Sequence, residues 1–118
     1  MSKASTQRTP VFHDRIATSL GANSNSDVVG PGRLSRCTNV TVIIDFADNC
    51  TAGAFVVQGS HHQDFPGTPK TIATINAPGS GGETEITLLS VGMYPFLRVR
   101  GSAGVNGDGA DAIWMQGS

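Results

Sequence analysis

Apolar and polar side chains alternate in two runs between residues 40 and 57, on either side of a polar stretch. Val40, Val42, Ile44 and Phe46 fall on one side of an extended backbone, and Thr41, Ile43 and Asp45 on the other. Phe55 and Val57 begin a second alternating run, and the polar stretch between the two carries Asp48, Asn49 and Gly53, residue types that make turns. The pattern predicts a β-hairpin whose apolar face floors a sheet-on-sheet core.

The same period of two recurs along the chain. Residues 14–20 set Ile16, Thr18 and Leu20 against Arg15, Ala17 and Ser19. Val28 and Val29 make a short strand cut by Gly30-Pro31-Gly32, which places it at an edge. Residues 70–76 set Ile72 and Thr74 against Thr71, Ala73 and Ile75, and residues 83–90 set Thr84, Ile86 and Leu88 against Glu83, Glu85 and Thr87. Residues 94–100 and 110–116 close the series. Residues 58–69 form a long irregular connection, the kind of segment that often carries function. No window shows a helical stripe. About eight short strands with regular turn signals predict an all-β fold, an antiparallel β-sandwich of jelly-roll type, spanning residues 13–118. Residues 1–12 are polar, with Lys3 and Arg8 ahead of Pro10, Val11 and Phe12. They show no period, so they read as an extended N-terminal arm whose expected holder is another subunit.

Composition narrows the function classes. With 118 residues the chain has the length of one domain. Its 15 glycines and 6 prolines suit short strands joined by turns. Charged residues are only 14 % and the net charge is -1, so no long-range field draws in nucleic acid or an anionic membrane. Arg15, Arg33, Arg36, Arg98 and Arg100 are offset by nine acids. The longest apolar run is far below the roughly 20 residues of a membrane span. The N-terminus lacks the apolar segment of a signal peptide, so synthesis in a reducing cytosol is expected. The sequons at Asn39 and Asn49 then read as strand and turn chemistry. Cys37 and Cys50 bracket the central strand and are expected to be free thiols, mostly buried.

Candidate chemistry is sparse. His61 and His62 beside Asp64 form the best metal-like cluster, but adjacent residues of an extended chain point opposite ways. The expectation is a solvated loop with no metal and no cofactor. Asn106, Asp108 and Asp111 offer oxygen ligands without the spacing of a calcium loop. Ser60 lacks the glycine elbow of a hydrolase nucleophile, and Glu83 and Glu85 read as the wet side of a strand. No catalytic residue is assigned and no enzyme is expected. The stretch Tyr94-Pro95-Phe96-Leu97-Arg98-Val99-Arg100 is more informative. If Leu97 and Val99 face the core, then Phe96, Arg98 and Arg100 share an outer stripe with Tyr94 next in line, a composition typical of protein interfaces. The other reading is a bulge at Pro95 that turns Phe96 inward and leaves the arginines solvated.

Several stretches together resemble a known group. They are the opening at 16–24, the Thr/Val-rich strand from Asn39, the segment 51–60 ending Gly59-Ser60, and residues 94–102 leading to a last strand that ends Gly117-Ser118. This arrangement is similar to the small β-sandwich structural proteins of tailed-bacteriophage virions, notably capsid decoration or cement proteins and related tail modules. Where that group commonly has an acidic or aromatic residue after the Gly-Ser, this chain has His61 and His62. The resemblance implies a non-enzymatic virion protein made in the host cytoplasm. It implies binding to the major capsid protein as a homo-oligomer, most commonly a trimer, through arms and edges. The candidate interface is then Lys3, Arg8, Phe12, Tyr94, Phe96, Arg98 and Arg100, and the candidate functional loop is His61, His62, Asp64 and Phe65. The alternative is a carbohydrate-binding or adhesin module of a phage tail or fibre, with the loop 58–69 carrying the sugar site.

Overall fold

The computed structural model describes residues 11–89 and 94–118. Lys3 and Arg8 lie outside the described residues. Among the described residues seven strands form two antiparallel sheets, confirming the all-β sandwich. They are β1 (Phe12–Ala17), β2 (Asn39–Phe46), β3 (Ala54–Ser60), β4 (Lys70–Asn76), β5 (Gly82–Leu89), β6 (Phe96–Gly101) and β7 (Ala110–Gly117). The four-stranded sheet runs β1-β7-β2-β5 and the three-stranded sheet β4-β3-β6. Residues 23–29 run beside β6 as an irregular further edge, through bridges from Asn25 to Arg100 and Val29 to Leu97. There the Ser26 hydroxyl accepts from the Val99 amide at 2.8 Å where a regular strand would use a carbonyl. This segment supplies the eighth strand-like element of the expected count.

The central hairpin is not formed. β2 and β3 belong to different sheets, and β2 is hydrogen-bonded to β5 on one side and β7 on the other. Residues 47–53 carry the chain from one layer to the other as an arch. The two strands meet through side chains, with the Phe46 and Phe55 rings edge to face at 5.5 Å between centroids. Alternation specifies which residues point inward. It does not tell a hydrogen-bonded neighbour from a strand across the core, because both solutions bury the same set. Gly53, at φ 92, lies against the backbone of Gly104 and Val105 at the foot of this arch, where a side chain has no room.

The core takes Val40, Val42, Ile44 and Phe46 from β2, Ile113 and Met115 from β7, Phe55 and Val57 from β3, and Leu97 and Val99 from β6. Leu20 is buried, but Thr18 is exposed, because β1 ends at Ala17 after a bulge. A register shift between Val57 and Gln58 brings both Ile72 and Ile75 of β4 against the core, where strict alternation would separate them. β1 starts earlier than expected. Phe12 pairs with Gly117 and is buried, and the Val11 amide donates to the Gly117 carbonyl at 2.7 Å, so residues read as arm belong to the sheet. The irregular edge leads into α1 (Pro31–Leu34), a single turn with Pro at its start that buries Leu34 in the core. Its Arg33 forms an ion pair with Asp14, which lies on the inner side of the edge strand.

Candidate functional site

The long loop after β3 lies on the outer side of the three-stranded sheet. Ser60 begins it by accepting the His62 amide at 3.0 Å, and the Phe65 amide then closes a turn onto the His62 carbonyl at 3.1 Å. Phe65 has φ 48, unusual for an aromatic residue, and its ring is buried. The Arg98 guanidinium lies 4.2 Å from the centre of that ring, and its Nε donates to Gln58 Oε1 at 2.8 Å. Burial, and secondarily the charge of Arg100, push the Arg98 pKa below the usual guanidinium range. Loop, β3 and β6 are thus joined by one stack, with His61, His62, Gln63 and Asp64 exposed above it. An open pocket of about 200 Å³ beside the loop is lined by Ser60, His61, His62, Lys70 and Tyr94 among others.

The expected outer stripe is formed in part. Leu97 and Val99 are buried, and Phe96, Arg98 and Arg100 lie on the other side of β6. Arg98 is consumed by Phe65 and Gln58, and Arg100 donates to Asn25 Oδ1 at 2.9 Å. Tyr94 does not join the stripe. It packs against the core, its ring over Gly59 where a Cβ would approach within 2.7 Å, and it stands 5.4 Å from His61. Phe12 also departs from the expected interface, since the core encloses it. Phe65 departs from the expected sugar site, because it is only 5 % exposed, with Arg98 over the ring.

The remaining polar clusters have structural partners. Asn106 Oδ1 accepts from the Thr51 and Ala52 amides at 2.8 and 3.1 Å, and Asp108 accepts from Asn49 at 3.1 Å. These side chains clamp the Gly-rich turn before β7 onto the arch; Asp111 is exposed. Among the described residues no group of three His, Cys, Asp or Glu is placed to hold a metal ion. Cys37 and Cys50 are free. An open groove of about 430 Å³ runs between β1 and residues 27–33 and mixes Asp14, Arg15, Asp27 and Arg33. No described helix is long and apolar enough to cross a membrane.

A second surface escaped the sequence reading. The outer side of the four-stranded sheet sets residues in cross-strand rows. One row is His13, Gln116, Thr41 and Thr87; the next is Arg15, Trp114, Ile43 and Glu85; Ala112, Asp45 and Glu83 follow. The Arg15 guanidinium lies 4.7 Å from the Trp114 ring centre, and the His13 ring 4.9 Å. The signal was available. Arg15, Trp114 and Ile43 each occupy the outward phase of their strands, but the pairing of β1 with β7 joins the two ends of the chain and no local pattern announces it.

No family model and no curated protein matches the sequence. The fold, however, is shared with solved structures. The PBSX exported protein XepA superposes with a TM-score of 0.61 at 15 % identity, over 95 % of this chain and 39 % of that one. The SPBc2 prophage-derived protein YomS gives 0.59 at 9 % identity, over 91 % of this chain and 92 % of that one. A family GH115 4-O-methyl-α-glucuronidase with specificity for decorated arabinogalactans gives 0.54 at 13 % identity, over 95 % of this chain but only 18 % of the enzyme. Two of these three neighbours are phage-derived. At such identities the likeness is one of fold.

Proposed function

We propose that this chain is a non-enzymatic structural protein of a phage particle that binds the outer capsid shell as an oligomer and stabilises it. The observation that supports this reading best is the locked loop. Residues 61–65 are held by the Phe65–Arg98–Gln58 stack and present His61, His62 and Asp64 on a rigid base. A loop ordered before it binds loses little conformational freedom on docking. Protein that binds only the assembled shell stabilises that shell by mass action, and linked copies gain by avidity, so each contact can be weak. Lys3 and Arg8 would add contacts from the arm.

The test is co-sedimentation with purified capsids assembled without this chain. Saturable binding and a raised capsid melting temperature are expected. Exchanging His62→Ala and Asp64→Ala together should weaken binding about tenfold, the scale of one or two polar contacts. Because Val11 and Phe12 belong to the sheet, the arm deletion for this experiment removes residues 1–10 and should also weaken binding. Absence of capsid binding, with saturable glycan binding lost on changing His61 or Tyr94, would replace this reading by a carbohydrate-binding module of a tail or fibre.

A further inference from the structure

The outer side of the four-stranded sheet is asymmetric in charge. Its β1 flank carries His13 and Arg15, and its β5 flank carries Glu83 and Glu85, with Asp45 beside them on β2. Trp114 and Ile43 are register partners in the middle, and both are only half-buried. Asp45 and Glu83 stand directly opposite each other on neighbouring strands, and among the described residues neither has a cationic partner. Like charges so placed cost stability unless a cation approaches from outside.

We propose that this face pairs with the same face of a second copy about a twofold axis parallel to the strands. That rotation lays β1 of one copy over β5 of the other and keeps the rows in line. Arg15 then meets the acidic flank at Glu85, His13 meets Thr87, and Trp114 packs on Ile43, each contact occurring twice. A twofold across the strands would instead set Arg15 against Arg15, so the charges select the axis. Edge-to-edge association is obstructed at β1. There the Asp27 amide already donates to the Ile16 carbonyl at 2.8 Å, and Arg33 holds Asp14. Four strands of up to eight residues, at strand spacings of about 4.8 Å and rises of about 3.4 Å, make a face of roughly 500 Å². Two such faces bury about 1,000 Å², the lower limit for specific association, so the dimer is weak in isolation and salt-sensitive.

Sedimentation equilibrium of the full chain, from about 10 μM to about 1 mM, should show a reversible doubling of the 12.2 kDa mass. Arg15→Glu and Glu85→Arg should each weaken dimerisation at least about tenfold, because each change puts like charges opposite at two places. The two variants mixed should form a heterodimer, and the double variant should dimerise again, which a folding defect cannot mimic. A monomer throughout the range, an oligomer other than a dimer, or a dimer indifferent to both changes would overturn the proposal. These measurements need no capsid, so their outcome is separate from that of the decoration reading.

Discussion

The two outer faces of this sandwich are built by the same alternation and end in opposite states. On the three-stranded sheet the loop 61–69 folds back, Phe65 fills the surface, and Arg98 is spent on Phe65 and Gln58. On the four-stranded sheet nothing among the described residues folds back. Arg15 is exposed with the Trp114 ring beneath it, and the acidic flank stands apart. Each face therefore carries an arginine on an aromatic ring, one serving the fold and the other open to solvent. The presence of Arg and aromatic residues on an outward stripe does not distinguish these cases; what matters is whether the chain's own loops reach them.

The strongest test of that contrast acts on the core both faces share. Phe55→Ala removes the ring that meets Phe46 across the layers and should cost about 3–5 kcal/mol, read from urea unfolding. Such a loss affects both surfaces together and sets the scale for the rest. Next, Phe65→Ala should cost about 2 kcal/mol and loosen the loop, while Trp114→Ala should change monomer stability by about 1 kcal/mol or less. Equal losses would mean that the two rings play the same part. The arginines should differ in the same sense by a smaller amount. Arg98→Ala strands the buried Gln58 amide and should cost about 1–2 kcal/mol, against about 0.5 kcal/mol or less for Arg15→Ala.

The smallest effect belongs to pH. Burial raises the Cys37 thiol above its ordinary value of 9.0. The folded chain thus keeps that proton where the unfolded chain has released it. Stability from this source is fully present below the ordinary thiol pKa and is lost as pH rises through the higher folded value. The urea midpoint should fall slightly on the alkaline side, and Cys37→Ser should remove that part of the fall.

Most inward positions were legible because a strand buries every second residue wherever it pairs. Val40, Val42, Ile44, Phe46, Phe55, Val57, Leu97 and Val99 all follow this rule. The exceptions have local causes, namely the bulge that ends β1 and the register shift opposite Gln58. The candidate site was less legible. His61, His62 and Asp64 are exposed on the loop as expected, but the burial of Phe65 depends on a backbone turned to φ 48 and on Arg98, 33 positions further along the chain. The clamp from Asn106 and Asp108 to the arch likewise joins residues that no spacing rule connects.

Sequence alone settled the all-β class and the inward and outward phase of most strands, because these follow from local alternation. Tertiary structure decided that β2 and β3 face each other across the core, that β1 and β7 pair the two ends of the chain, and that Arg98 is consumed while Arg15 is left open. Those outcomes depend on which strands lie side by side. Several pairings bury the same apolar residues, and the choice among them rests on contacts between segments far apart in the chain.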